Sequence, residues 1–237
     1  MTEENQERLS MGTIINVIAI LIGGALGLLF RKGFPERIAQ TALQVMGLFS
    51  LVIGVSMALQ GQELIMVLVS LAFGAMLGEW MNIEGHLDRL GVWLEKRLHL
   101  TQESPAKGFI YTSLLFCVGS MAIVGSITDG LKGDYSILVT KAMMDGIISI
   151  PFAANMGIGV LGSAVPVLLY QGGLTLLASK LQSLFTPVMI RELTSVGGVI
   201  VMGIGVNILG LQKIRVGNLI PALPLIILLI YLKALFH

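Results

Sequence analysis

Apolar stretches close to twenty residues long, separated by short polar intervals, run through the chain from residue 12 onward. A helix of ~20 apolar residues covers a hydrocarbon core of ~30 Å. Reading by uninterrupted apolar length predicts spans near 12–30, 39–59, 64–79, 109–128, 136–155, 158–178, 193–211 and 217–235. The uncharged run 146–179 is too long for one crossing, and Pro151, Gly157, Gly159, Gly162 and Pro166 offer places to divide it. The fifth span carries Lys141 and Asp145 and contains Pro151, so it is expected either to cross or to re-enter. The expected fold is an all-α polytopic membrane protein of about eight spans, or seven if the fifth is re-entrant.

Two segments of this pattern resemble each other. FPERIAQTALQVMGLFSLVIGVSMAL begins at Phe34 and FTPVMIRELTSVGGVIVMGIGVNIL at Phe185. One constant shift pairs Gly47 with Gly198, Gly54 with Gly205, Val55 with Val206 and Ser56 with Asn207. Upstream, GGALGLL at Gly23 echoes GGLTLLA at Gly172. Spans one to three would then repeat as spans six to eight. An odd number of spans separates the copies, which gives them opposite topology, the inverted repeat of many secondary transporters.

The expected organisation follows. A polar N-terminal extension occupies 1–11, a first repeat 12–80, a connector 81–107, a charged central element 108–156 and a second repeat 157–237. In the connector, Ile83, Leu87, Leu90, Leu94 and Leu98 recur at helical spacing, with Asp88, Arg89, Glu95, Lys96 and Arg97 between them. That pattern fits a helix lying in the membrane interface, where Trp80 and Trp93 are also at home.

Composition narrows the class. Hydrophobic residues make up 55% of 237 positions and charged residues 12%, with mean hydropathy +0.88. Soluble domains carry about 25% charged residues. The net charge of +1 gives no footprint for nucleic acid. The start, MTEENQERLS, has the wrong sign for a signal peptide, and its apolar run ends in Arg31-Lys32 as an anchor does. With the N-terminus outside, inner segments hold Arg31, Lys32, Arg37, Arg89, Lys96, Arg97, Lys107, Lys213 and Arg215. Outer segments hold the smaller set Arg8, Lys132, Lys180, Arg191 and Lys233, so both termini are expected outside.

Candidate chemistry concentrates between Cys117 and Gly157. Lys141 and Asp145 stand four apart, so on a helix they share a face and can pair. Charged residues at membrane depth usually face a partner or a watery cavity. The pair reads as a cation or proton site with its internal counter-ion, or else as a device that fixes helix register. Asp129, Lys132 and Asp134 lie in a Gly-rich turn that could line one mouth of a pathway. Ser120 and Ser126 are small residues that permit close helix packing and could line the same route. Asn155 opens a Gly-rich run where a helix could unwind. Asn16, Gln44, Gln171, Asn207 and Asn218 read as interhelical hydrogen bonds.

His86, His99 and His237 lack metal-ligand spacing, and the single Cys117 excludes an intrachain disulfide. No hydrolytic triad, paired-carboxylate site or metal cluster is discernible, so no enzyme, cofactor or metal is expected.

The opening run GTIINVIAILIGGALGLLFRKGFPERI, the central GSMAIVGSITDGLKGDYSILVTKAMMDGI and the later MGIGVLGSAVPVLLYQGGLTLLA carry a resemblance. They resemble the bacterial membrane family catalogued as domain of unknown function 554, the YqgA-like proteins. The resemblance covers the chain from Met11 onward, and residues 1–10 look like an extension of the usual start. It implies a multi-pass inner-membrane protein of bacteria and supplies no activity of its own.

The expectation is therefore an inner-membrane transporter or channel for a small ion or polar solute, working as a homodimer in the lipid bilayer. Lys141 and Asp145 would gate or couple it, with Asp129, Asp134, Ser120, Ser126 and Asn155 along the route. The alternative is a non-transporting scaffold or regulatory protein in which the charged pair is structural.

Overall fold

The computed structural model describes residues 11–31, 36–86, 89, 105–181 and 185–235. Among them the chain is helical throughout, with no strand. The elements are α1 (Met11–Arg31), α2 (Glu36–Ala58), α3 (Leu64–Trp80), α4 (Pro105–Cys117), α5 (Ser120–Lys132) and α6 (Ser136–Met156). They continue with α7 (Gly159–Gly162), α8 (Ala164–Leu176), α9 (Ala178–Leu181), α10 (Pro187–Ile208), a 3-10 turn (Val216–Leu219) and α11 (Ala222–Leu235).

Among the described residues six stretches are long and apolar enough to cross a membrane: Met11–Phe30, Gln40–Ala58, Ser136–Met156, Gly159–Leu176, Pro187–Ile208 and Val216–Ala234. The expected spans one, two, five, six, seven and eight correspond to these. The third is a shorter apolar helix of 17 residues, Leu64–Trp80, so it falls below the usual crossing length. The fourth is two helices bent by 58° at Cys117–Ser120, which raises the number of candidate spans to at most seven if the pair counts as one.

The break was expected in the wrong helix. The fifth span is one continuous helix of 21 residues with Pro151 inside it. Proline removes one backbone donor, and membrane helices tolerate that where neighbours re-satisfy the freed groups. Here Asn155 Nδ2 donates to Pro151 O at 2.8 Å. The fourth span breaks instead because Gly119 is fully extended (φ −132°, ψ 151°) and caps α5 without a side chain.

The helices gather into two compact units that interleave in sequence: α1 with α4–α9, and α2 and α3 with α10, the 3-10 turn and α11.

In the first unit α1 and α6 lie in close contact over most of their length. Gly12 meets Leu138 and Tyr135, Gly23 meets Gly146 O, and Gly27 meets Ile150 O and Ala153. The order of these contacts makes the two helices parallel. Small residues let the backbones approach closely enough for dispersion and weak hydrogen bonding to hold them, which is the main attraction between helices in lipid. The α7–α8 stretch runs the opposite way, with Gly24 against Leu161 and Asn16 bonded to Gln171. The bent pair α4–α5 accompanies α7–α9 from one end to the other. Gly162 meets Phe109 near the start, and Gly130 meets Thr175 O and Ala178 near the finish.

In the second unit α2 and α10 are antiparallel, with Gly47 near Gly205 O and Gly54 near Gly198 O. α3 and α11 are antiparallel too, since Gly74 meets Ala222 and Gly78 meets Asn218 O. Thr186 caps α10 by accepting the Met189 N–H at 3.2 Å, with Pro187 in the first turn where its missing donor costs nothing. The residues expected to form the amphipathic connector lie mostly outside the described residues, as does the extension 1–10.

Candidate functional site

Lys141 and Asp145 occupy one face near the middle of α6, one turn apart, and their side chains form an ion pair. They are 6% and 5% exposed. Four residues is the spacing at which an α-helix stacks side chains, so the pair is set by local geometry. Its surroundings come from elsewhere in the chain. Asn16 on α1 donates Nδ2 to Asp145 Oδ2 at 3.0 Å, and the same nitrogen donates to Gln171 Oε1 on α8 at 3.2 Å. The Lys141 ammonium lies 5.7 Å from the centre of the Phe116 ring, at the end of α4 beside the break. Asp145 also anchors its own helix, because Ser149 Oγ donates to Asp145 O at 2.7 Å.

A buried ion pair calls for further partners, and this one has the Asn16 amide on its carboxylate and the Phe116 ring near its ammonium. The amide of Asn16 ties three helices into one polar joint. Asn16 and Gln171 are both fully buried. They were expected only as interhelical hydrogen bonds; they serve as such and also complete the surroundings of the charged pair.

Some polar atoms here remain without a protein partner. Asn16 Oδ1, Gln171 Nε2, Ser126 Oγ and Thr175 Oγ1 are buried and make no hydrogen bond. Buried polar groups are nearly always satisfied, so these are atoms that an ordered water would satisfy. Thr175 stands one turn beyond Gln171 on α8, and Gly130 brings α5 against the Thr175 carbonyl. Ser126 and Asp129 are buried one turn apart on α5, so they extend the polar line toward the α5–α6 turn.

The remaining expected residues are distributed as follows. Asp134 is exposed in that turn and accepts the Ser136 N–H at 3.0 Å. That backbone donor holds its carboxyl below the usual carboxylate range. Ser120 opens α5 directly after the break; its side chain lies outside the described set. Asn155 is ten residues beyond Asp145, about 15 Å along the helix, and its amide is committed to Pro151 O. The structure thus joins Lys141 and Asp145, sets Ser126 and Asp129 on the adjoining helix, and holds Asp134 and Asn155 apart from the pair. Among the described residues no group of three or more His, Cys, Asp or Glu is arranged to hold a metal ion.

The second unit has a buried carboxylate of its own. Glu192 on α10 is fully buried and accepts the backbone N–H of Gln62 at 3.0 Å and of Glu63 at 3.2 Å. Arg191 reaches the same carboxylate at 3.3 Å. One turn on, Ser195 Oγ donates to Ala58 O at 2.8 Å. Together they clasp the α2–α3 turn from both sides. At the other end of α3, Asn218 donates to Glu79 Oε2 at 2.6 Å and accepts the Glu84 N–H at 2.8 Å. Asn218 was expected to make such a hydrogen bond, whereas no sequence motif announced the Glu192 arrangement.

The family described as "Protein of unknown function (DUF554)" matches residues 11–231. The chain belongs to this DUF554 family. Among its relatives is the "Uncharacterized membrane protein YdfK" of Bacillus subtilis (strain 168), 34% identical over 227 residues, covering 93% of this chain and 96% of that protein. Another is the "Uncharacterized protein YqgA" of Escherichia coli (strain K12), 30% identical over 220 residues, covering 91% and 94%. No solved structure matches the chain. The DUF554 match takes in α1, α6 and α8, so the polar joint lies within the family region. A membrane protein is supported both by the YdfK relative and by the six long apolar helices.

Proposed function

We propose that this DUF554 protein is a multi-pass transporter or channel of the bacterial inner membrane for a small ion or polar solute, worked by the Lys141–Asp145 pair. The observation that carries the reading is a buried ion pair joined to two buried amides, Asn16 and Gln171, each of which keeps one polar atom without a protein partner. A purely structural pair would be expected to use up its neighbours' hydrogen bonds. This one leaves an acceptor on Asn16 and a donor on Gln171 unused.

Helix directions support eight crossings with an inverted repeat. The three pairs of helices that the sequence similarity equates are α1 with α8, α2 with α10 and α3 with α11, and each pair is antiparallel and in contact. Copies of opposite topology would meet in this way. The bent pair α4–α5 runs the full length of α7–α9, which favours one broken crossing over re-entry. Parallel α1 and α6 are then separated by three crossings. The broken helix beside a charged pair matches how transporter folds build sites near the bilayer midplane. Ser126 and Asp129 would line the route toward a mouth at Asp134, with Ser120 at the break and Asn155 toward the opposite face. The protein would work as a homodimer.

The test is flux in proteoliposomes of the purified protein, measured for a panel of small ions and polar solutes. Wild-type protein should move at least one of them, and Asp145→Asn should abolish that movement while the protein still folds. A scaffold role is favoured by one observation, the near-complete enclosure of the pair. It predicts no flux from either protein.

A further inference from the structure

We infer that the Lys141–Asp145 joint binds one small monovalent anion together with one proton, the proton on Asp145 and the anion on Lys141. This deepens the transport reading and rests on the same site. As it stands the site is neutral: one ammonium, one carboxylate, both within a membrane helix. An uncompensated charge inside a membrane helix is strongly unfavourable, so the states able to complete a transport step are those that keep the sum at zero. Two kinds of loading do so. A proton can add to Asp145 while an anion adds to Lys141, or a metal cation can replace the ammonium as Lys141 gives up a proton.

The geometry favours the first. Phe116 faces the Lys141 ammonium at 5.7 Å, a partner that persists when Asp145 no longer bears a charge. Metal-cation exchange would have to make that lysine neutral. Asn16 is suited to either form of Asp145. Its Nδ2 already donates to the carboxylate, and its Oδ1 makes no hydrogen bond. A carboxylic acid beside a primary amide uses both groups, accepting from the N–H and donating its O–H to the carbonyl oxygen. The orphaned acceptor therefore has a use once Asp145 is protonated. The orphaned donor has one too, because Gln171 Nε2 is a buried N–H group in the same joint, available to an anion held by Lys141.

The step balances. A proton from water forms an O–H bond on the Asp145 carboxylate; no other covalent bond changes, and the freed ammonium exchanges its carboxylate partner for the incoming anion. A dianion would leave a net charge, which limits the ligand to a monovalent anion of the nitrate, chloride or formate kind. The other ionisable groups on the surrounding elements are Lys107, Tyr111 and Cys117 on α4, Asp129 and Lys132 on α5, and Tyr170 on α8. α7 carries none, and within its described span α1 carries only the terminal Arg31.

The test uses the full-length protein in detergent with potassium nitrate and potassium formate as probes and potassium gluconate as the bulky control. Infrared difference spectra should show a carboxylic acid C=O band on adding nitrate or formate, absent in Asp145→Asn. Nitrate should bind about tenfold tighter for each unit the pH is lowered, the slope of one linked proton, until Asp145 titrates unaided. Asp145→Asn mimics the protonated acid, so nitrate should raise its melting temperature equally at all pH values, while Lys141→Gln should lose the effect. Nitrate binding with no pH slope, or stabilisation of the wild type by lithium or sodium as the pH is raised, would overturn the inference. The two readings fail separately. Flux lost in Asp145→Asn without proton-linked anion binding sinks this inference and leaves transport standing. Proton-linked binding with no flux does the reverse.

Discussion

Gly54 on α2 and Gly198 on α10 each rest against the other's carbonyl oxygen: a Cβ on Gly54 would lie 2.8 Å from Gly198 O, and one on Gly198 would lie 2.6 Å from Gly54 O. The Gly47–Gly205 contact is its counterpart. The constant shift that aligns the two segments turns one contact into the other. Side chains at these positions would force backbones apart, and overpacking of this kind typically costs about 1–3 kcal/mol. Gly198→Ala is therefore expected to lower the melting temperature of detergent-solubilised protein, since its Cβ would also strike the Ala58 backbone nitrogen. Gly173→Ala is the control, because nothing lies within 4 Å of the added atom. Equal melting temperatures for the two variants would remove the close-approach account.

The ion pair gives a second prediction. Removing one partner strands a buried charge, at a cost of about 3–5 kcal/mol. Lys141→Ala should therefore be strongly destabilised, and Asp145→Ala likewise. The double variant should recover much of the loss, as two neutral side chains leave no charge to compensate. Double-mutant analysis of thermal or denaturant unfolding measures this coupling. Additive effects would mean that the two groups do not interact.

Asn16 is the hinge of the joint, and its loss should be felt on three helices. In Asn16→Leu the Asp145 carboxylate loses a donor and Gln171 Oε1 loses its partner. A buried group left unsatisfied costs about 1–3 kcal/mol, so this variant should be destabilised by that order. Gln171→Leu removes a single weaker bond and should cost less. If Gln171→Leu proved the more damaging, the centre of the joint would be misassigned.

What the sequence could reveal follows from range. Lys141 and Asp145 were legible as a pair because i,i+4 proximity is a local property of any helix. Asn16 and Gln171 were not, since they lie 129 and 155 positions from their partners and nothing in one sequence says which helices run side by side. The glycine matches around Gly47 and Gly198 were visible, though their meaning as a mutual contact needed antiparallel packing. The misplaced break has a similar origin. Pro151 is the conspicuous breaker by residue type, yet its consequence depends on neighbours that re-satisfy the backbone. Gly119 looked like any other small residue, and only its extended conformation makes it the bend.

Glu192 was the least legible of all, because an acid near the start of an apolar helix looks like an interface residue. Its carboxylate instead supplies the acceptors for the first free N–H groups before α3, a capping role delivered from another helix. Glu192→Ala should leave Gln62 and Glu63 N–H without acceptors and cost about 1–3 kcal/mol. Glu192→Gln keeps one acceptor and should recover part of that loss. The sharper readout is local. Amide hydrogen exchange at Gln62 and Glu63 should speed up in Glu192→Ala while exchange in α6, which belongs to the other compact unit, stays as in the wild type. Uniform acceleration across both units would mean that Glu192 governs global stability, and unchanged exchange at the turn would mean that the clasp does not hold it.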